Sequence, residues 1–339
     1  TGQRLRGRRL GGHRVRAAER YLRKTPADIE PEVNAAIRIL HEDEALIVID
    51  KPAPLPVHPS GRFNRNTLLS ILHTACHPLK PRPAHRLDAN TSGLIVFTRT
   101  RHFAKLVQPQ FERGEIEVQD EGSQLLALLV GPKRGEMVID FCAGAGGKTL
   151  LLGALMRSTG RLYAFDVSAK RLAKAKPRFA RSGLSNVVPV IIDSENDVRV
   201  KRLAGKAQRV LVDAPCSGVG TLRRNPDLKW RQSVQSLQEL TALQARILAS
   251  ASRCVAPGGR LVYATCSVLI EENQAQAERF LAEHPDFELI DASQLLAART
   301  SLQLEGPYLN LRPDVHGTDG FFAAVFERRK AGGAVAPEA

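Results

Sequence analysis

No stretch of the 339 residues comes near the roughly 20 consecutive apolar residues that a membrane-spanning helix needs. Nor does an apolar segment follow the basic N-terminal residues, as it does in a secretory leader. The five cysteines contain no CxxC pair and form no even framework, which argues against a disulfide scaffold and against a zinc module. Negative charge is short: 35 Asp and Glu face 49 Lys and Arg, leaving a net charge of +14. Hydrophobic residues make up 43% of the chain, enough for a sizeable core, and this excludes a wholly disordered polycation. At about 150 residues per domain the length suits two domains. The expectation is a soluble, cytoplasmic, monomeric α/β protein without a metal. Its excess positive charge suits a polyanion, and nucleic acid is the commonest one.

The charge is concentrated at the start. Arg4, Arg6, Arg8, Arg9, Arg14, Arg16, Arg20, Arg23 and Lys24 face only Glu19, with glycines among them. Residues 1–30 are therefore expected to be a flexible basic arm that neutralises phosphates without reading sequence, or else a solvated tail. Residues 331–339 are small, Pro- and Gly-containing, and expected to be disordered. Between these ends, residues 31–117 show short strand-like runs, Ala45–Asp50 and Leu94–Thr98, separated by Pro-rich loops. Residues 118–330 show strand–helix alternation instead. Apolar runs at Met137–Phe141, Leu162–Asp166, Val187–Asp193, Arg209–Asp213 and Arg260–Thr265 enclose helical stretches at Thr149–Arg157, Ala169–Arg181 and Gln235–Val255. Such alternation predicts a doubly wound, mostly parallel sheet that binds ligands at the carboxyl ends of its strands. No internal repeat is visible.

The first of these strands runs into Cys142-Ala143-Gly144-Ala145-Gly146-Gly147-Lys148, a Gly-rich turn leading into a helix. Glycines permit a tight turn and close approach of a ligand to the backbone, and the helix N–H groups favour negative charge. A P-loop requires Gly where Cys142 stands, and the spacing does not fit GxGxxG either. The acids decide among the remaining cofactors. Asp166 ends the second strand, where a carboxylate can accept both hydroxyls of a ribose. Asp193 and Asp213 end the third and fourth. One such Asp is ordinarily a helix N-cap, but three in succession after a Gly loop suit a cofactor with a free ribose and a cationic amino-acid moiety. They also repel a nucleoside triphosphate. S-adenosylmethionine fits this pattern.

Two cysteines fall at the same predicted edge. Cys216 lies in Asp213-Ala-Pro-Cys-Ser-Gly218 after the fourth strand, and Cys266 in Ala264-Thr-Cys-Ser267 at the end of the fifth. Cys76, Cys142 and Cys254 read as small buried hydrophobes. Carbon-5 of cytosine is a poor nucleophile, and a thiolate adding at carbon-6 makes it able to attack a methyl sulfonium. A second group must then help remove the carbon-5 proton so that the thiol can leave.

On these residues, Val118 to about Arg328 resembles the Sun/Fmu group of RNA cytosine-5 methyltransferases, most closely the bacterial small-subunit rRNA enzymes. The matching stretches are Val118–Gln124, Cys142–Thr149, Asp213–Gly218, Arg224–Trp230, Tyr263–Ser267 and His316–Phe322. The resemblance implies a Rossmann-like class I methyltransferase fold, with Cys266 as nucleophile and Cys216 assisting product release. It also implies that Cys142–Lys148, Asp166, Arg171, Asp193 and Asp213 hold S-adenosylmethionine, and that Asp213 contacts the cytosine ring. RNA, ribosomal RNA above all, is the implied partner. Ala145 stands where the family usually has Pro.

Residues 37–117 resemble another RNA-modifying family, the RluA-type pseudouridine synthases. The resemblance rests on Ile39–Val57, His58–Gly61, His85-Arg86-Leu87-Asp88 and Thr91–Leu94. It implies an α+β block in which Asp88 is the catalytic carboxylate and Arg86 helps displace the base. That family's catalytic domain continues further, whereas here the likeness stops at Glu117 and the methyltransferase likeness starts at Val118. The block is therefore expected to be truncated, and Asp88 to make no pseudouridine. Three functions stay open at this point. They are an RNA cytosine-5 methyltransferase with a vestigial first block, a bifunctional enzyme in which Asp88 also works, and a non-catalytic RNA-binding fusion.

Overall fold

The structure is a computed structural model; it describes residues 30–330 and, ahead of them, the backbone of four two-residue strands. These are β1 (Gln3–Arg4), β2 (Arg9–Leu10), β3 (His13–Arg14) and β4 (Arg20–Tyr21), with β1 paired to β4 and β2 to β3, both antiparallel. Apart from these strands, the expected basic arm and the expected C-terminal tail lie outside the described residues. The chain divides into two compact units, the first ending at Lys105 and the second starting at Leu106. The division falls inside helix α2 (Arg101–Glu112), ahead of the junction between the two sequence resemblances. The residues after it are tied to the second unit through Glu117, whose carboxylate accepts from Arg178 at 2.5 Å and Arg181 at 2.6 Å.

The first unit holds β5 (Arg38–Glu42), β6 (Leu46–Lys51), α1 (Leu68–Ala75), β7 (Arg82–Pro83) and β8 (Gly93–Thr98). Its strands form one antiparallel sheet in the order β5-β6-β8-β7. Asp43 turns the chain between the first two by accepting from the Ala45 and Leu46 N–H groups, both at 2.7 Å. Period-2 alternation sends Ile47 and Ile49 of β6 inward, where they meet Ile95 and Phe97 of β8, Leu55, Val57, and Leu68 and Leu72 of α1. Lys51, next in that alternation, is also buried. Its ammonium donates to the carbonyls of Leu55 (2.8 Å), Pro52 (3.1 Å) and Ala89 (3.2 Å). Burial lowers its pKa to about 8, with the Asp88 carboxylate acting in the opposite direction. The edge strand β5 is exposed along all five residues.

The second unit alternates as the sequence predicts. Its elements begin with α3 (Glu121–Val130), β9 (Met137–Asp140), α4 (Gly147–Leu155), β10 (Arg161–Asp166), α5 (Ala169–Ser182) and β11 (Val187–Ile191). They continue with α6 (Val198–Lys201), β12 (Ala207–Asp213), α7 (Leu228–Arg231), α8 (Val234–Ser252), β13 (Val255–Thr265) and α9 (Gln274–Glu283). The chain closes with β14 (Phe287–Ile290), α10 (Ala292–Leu296), β15 (Leu309–Leu311), α11 (Pro313–His316) and β16 (Phe321–Arg328). The sheet order is β11-β10-β9-β12-β13-β16-β14, with β15 also on β16. The first five strands are parallel, β16 pairs antiparallel with β13, and β14 and β15 pair antiparallel with β16.

Both faces of this sheet are covered. Val138, Leu211, Val262 and Ala323 point to the side of α3, α4 and α10. Their neighbours Ile139, Val210, Leu261 and Ala324 point to the side of α8 and α9. Strands buried on both faces read as continuous apolar runs rather than alternating ones, which is how β12 and β16 read. Since β10 and β12 lie on opposite sides of β9, the order reverses there, and the carboxyl ends of these strands open a crevice.

Candidate active site

Four strand ends build the crevice. At the end of β9, Asp140 is fully buried and accepts from the Thr149 hydroxyl at 2.7 Å. Burial raises its pKa to about 7, Asp213 and Asp166 adding to the rise, Thr149 and Lys148 opposing it. Its second oxygen, Oδ1, has no hydrogen-bond partner. The turn that follows needs its glycines. Gly144 and Gly146 hold φ of 57° and 82°, in the left-handed region, and a Cβ on Gly146 would sit 2.5 Å from the Phe179 ring. The Ala145 carbonyl accepts from Arg178 at 2.6 Å.

At the end of β10, Asp166 is buried with a backbone N–H on each oxygen: Gly144 at 2.8 Å and Ser168 at 2.6 Å. This locks the carboxylate against the Gly-rich turn and leaves each oxygen capacity for a further donor. Arg171 lies 3.9 Å from it with a largely exposed side chain. Asp193 is placed differently. β11 ends at Ile191, and the Asp193 side chain is 88% exposed and paired with Arg199 at 3.1 Å. The buried acid of that loop is Asp197, which caps α6 and accepts from the Asp193 N–H at 2.8 Å.

At the ends of β12 and β13 the two predicted cysteines meet. Cys216 Sγ lies 3.4 Å from Cys266 Sγ, and both thiols are free. Lys148, from the cofactor turn, donates to Asp213 at 2.7 Å beside them. The hydrogen bond from Cys216 holds the Cys266 thiol below its usual pKa, helped by the Lys148 charge, against burial and Asp213. The same hydrogen bond, with burial, pushes Cys216 well up. Of the two thiols, Cys266 is therefore the one more easily ionised. Cys142 and Cys76, expected as buried, are half-buried, though both pack against hydrophobic clusters; Cys254 is buried. The Cys142 thiol is pushed well up by burial and by the three nearby acids, as an inert thiol is.

Sequence reasoning missed the scaffold beneath the thiols. Glu272 is fully buried and accepts from Ser217 through both its N–H (2.8 Å) and its hydroxyl (2.5 Å), and from Gln244 at 3.0 Å. Asn273 donates to the Ser267 carbonyl at 3.0 Å and accepts from Thr265 at 2.5 Å. The residue following each cysteine is therefore fixed, and Ser217 and Ser267 lie 3.2 Å apart. The signal was an acidic pair, Glu271-Glu272, a few residues after Cys266. Asp140 was missed too, although it heads the Gly-rich turn. Three motif stretches that are far apart in sequence also converge, because Arg224 pairs with both Asp120, the N-cap of α3, and Asp319.

A cleft of about 290 Å³ lies beside this crevice, shares Gly147 with the cofactor turn, and is lined by Glu117, Gln119, Leu150 and Arg178. It does not include the cysteines. Among the described residues no three His, Cys, Asp or Glu side chains cluster as metal ligands, and no helix is long and apolar enough to cross a membrane.

Residues 127–327 match the profile of the 16S rRNA methyltransferase RsmB/F family. The chain belongs to that family. Residues 45–119 match the RNA pseudouridylate synthase profile. Ribosomal RNA small subunit methyltransferase B of Sodalis glossinidius is 38% identical over 216 residues, 64% of this chain and 47% of that protein. The probable small subunit methyltransferase B of Synechocystis is 37% identical over 220 residues, 65% of this chain and 49% of its own length. The chain spans about half the length of the curated relatives it matches. Among solved structures, NSun6 from Pyrococcus horikoshii with SFG is 26% identical. It gives a TM-score of 0.57 over 72% of this chain and 63% of that one. The RsmB/F match covers the Rossmann-like sheet and every residue of the crevice.

Proposed function

We propose that the chain methylates carbon-5 of a cytosine in RNA, ribosomal RNA in the first place, using S-adenosylmethionine. The observation that carries the reading is the pair of free thiols 3.4 Å apart beside Lys148 and Asp213, at the carboxyl edge of the sheet. The crevice suits that cofactor. Asp166 has free acceptor capacity for ribose hydroxyls, Asp140 Oδ1 is an unpartnered buried acceptor for a cationic group, and a Cβ at Gly144 would come no nearer than 4.0 Å to its one close neighbour, the Cys142 carbonyl oxygen. Residues Cys142–Lys148 with Asp166 and Arg171 would hold it, while exposed Asp193 would sit at the rim. A likeness to a structure holding SFG, an analogue of this cofactor, supports the assignment. When bound, it supplies an electrophilic methyl group.

The chain's own residues supply the rest. Cys266 thiolate adds its electron pair to carbon-6 of the cytosine, which makes carbon-5 nucleophilic toward the methyl group. Asp213 contacts the ring, and its ion pair with Lys148 keeps a cation near the thiolate. After carbon-5 is methylated its proton leaves to a base, and the returning electron pair expels Cys266. Cys216 is placed to assist that elimination. Mass spectrometry of nucleosides from unmodified small-subunit rRNA, incubated with the protein and cofactor, tests the proposal. 5-Methylcytidine is the expected product; its absence under conditions where RNA is bound would reduce the chain to an RNA-binding protein.

A further inference from the structure

The motif Arg224–Trp230 is left over by this chemistry, and it carries the one tryptophan of the chain. Trp230 is 81% exposed, whereas tryptophan is on average highly buried because its ring is the largest apolar surface a residue can remove from water. The exposure does not come from a dangling loop. Leu228 packs on the rim of the Cys216 loop, its Cδ1 3.3 Å from where a Cβ on Gly218 would stand. Gln232 donates to the Ser217 carbonyl at 3.0 Å. Upstream, Arg224 is tied to Asp120 and Asp319, and Asn225 donates to Thr221 at 3.1 Å. The segment is thus fastened on both sides of Trp230, twice to residues within two positions of Cys216, and the ring is held out in solvent between the fastenings.

Its surroundings are cationic. Residues 223–231 contain Arg223, Arg224, Lys229 and Arg231 against the single acid Asp227. Lys229 Nζ lies 4.8 Å from the centroid of the Trp230 ring. Arg231 pairs with Asp227 at 2.6 Å, but both side chains are more than half exposed, so the pair is weak and a phosphate can replace it. An aromatic face with cations alongside is the arrangement that binds single-stranded nucleic acid by stacking.

We infer that Trp230 is a stacking platform for an unpaired nucleotide neighbouring the target cytosine, with Lys229 and Arg231 meeting the adjoining phosphates. The substrate class is then single-stranded or looped RNA at the target, with base-paired RNA disfavoured. The inference rests on the proposed RNA methylation. Trp230 lies outside the thiol and cofactor machinery, so it can be tested by itself.

Because the chain has one tryptophan, its indole emission reports on this residue alone. The full chain would be titrated with a short cytidine-containing single-stranded oligoribonucleotide, and with the same strand annealed to its complement, while filter retention measures binding in parallel. Saturable quenching by the single strand, at the concentrations where retention saturates, is expected. Trp230→Ala should weaken retention about tenfold or more, with unchanged thermal unfolding because the ring is exposed, and Trp230→Phe should recover most of the loss. RNA retained with unchanged emission, or retained equally by Trp230→Ala, would overturn the inference while leaving the methylation reading intact. Quenching without any 5-methylcytidine would do the reverse. Emission that changes with protein concentration but not with RNA would make the ring a protein-docking residue and also overturn the inference.

Discussion

At the scale of single residues the proposed chemistry divides labour between two chemically identical groups. Cys216 and Cys266 differ only in what surrounds them. Cys266 receives a hydrogen bond and lies near Lys148, and Cys216 gives that bond away. The variants should therefore fail differently. Cys266→Ala should lose methylation and form no adduct, since the attacking thiolate is gone. Cys216→Ala should still attack and methylate, then stall with protein attached to RNA through a bond that survives a denaturing gel. Identical behaviour of the two would contradict the division. Lys148 provides a second test, with a sign fixed by charge. A cation favours the thiolate, so Lys148→Gln should raise the Cys266 pKa, all the more because Asp213 loses its partner. Alkylation of Cys266 followed against pH by peptide mass spectrometry should then rise at higher pH in the variant. A profile unmoved by the substitution would show that Lys148 does not act on the thiol.

At the scale of elements, the loops after β12 and β13 meet the start of β16 through glycines. Gly220 donates to the Cys266 carbonyl at 3.0 Å and accepts from Gly320 at 2.8 Å. A Cβ on Gly220 would stand 2.3 Å from the Gly320 oxygen and 2.7 Å from the Cys266 oxygen. Both are backbone atoms that cannot step aside as a flexible side chain does. Gly220→Ala should therefore destabilise the second unit by about 1–3 kcal/mol, read from chemical denaturation, and should lower adduct formation by moving the Cys266 carbonyl. The parallel half of the sheet was legible because strands buried on both faces are apolar throughout and the helices between them keep their own period. The antiparallel half was not read, although Phe321–Phe326 is an equally plain apolar run. Strand direction leaves no mark on composition, and β16 follows a turn rather than a crossover helix. The gathering of Asp166, Cys216 and Cys266 at one sheet edge was legible because each stands at or just after a strand end, and that of Lys148 because it follows the Gly-rich turn. Glu272 was not, because its role depends on a fold contact with Ser217, 55 residues away. Asp193 was read as a site residue from its position after the third strand and from the family resemblance, and the structure turns its side chain to solvent.

At the scale of the whole molecule, a net charge of +14 should make RNA binding strongly salt-dependent, since each phosphate contact releases counterions. Deleting Thr1–Lys24, which carries much of the excess, should flatten the plot of log affinity against log salt. An unchanged slope would place the phosphate contacts elsewhere. The first unit raises the harder question of whether its match to RNA pseudouridylate synthases means a second activity. Asp88 is exposed, in the loop between β7 and β8. Its surroundings are ordered: buried Lys51 holds the carbonyl of the next residue, Ala89, and the Asp88 charge raises the Lys51 pKa against burial. Order alone does not give catalysis, however. A carboxylate acts on a flipped uridine inside a pocket that excludes water and fixes the base, and misplacement by about 1 Å can cost around a hundredfold in rate. An exposed Asp88 has no such enclosure. Asp88→Asn should leave the nucleoside products unchanged and should act on Lys51 instead. Without the nearby negative charge, the ammonium keeps its carbonyl acceptors but loses the carboxylate that opposes burial, and its pKa falls below about 8. Because that pKa lies under the unfolded value, the first unit's stability already falls as pH drops below the ordinary lysine range, and the variant should extend that fall to lower pH. Denaturation measured from pH 7 to pH 10 would show it. Pseudouridine formed by the intact chain and lost in Asp88→Asn would instead establish a working second site.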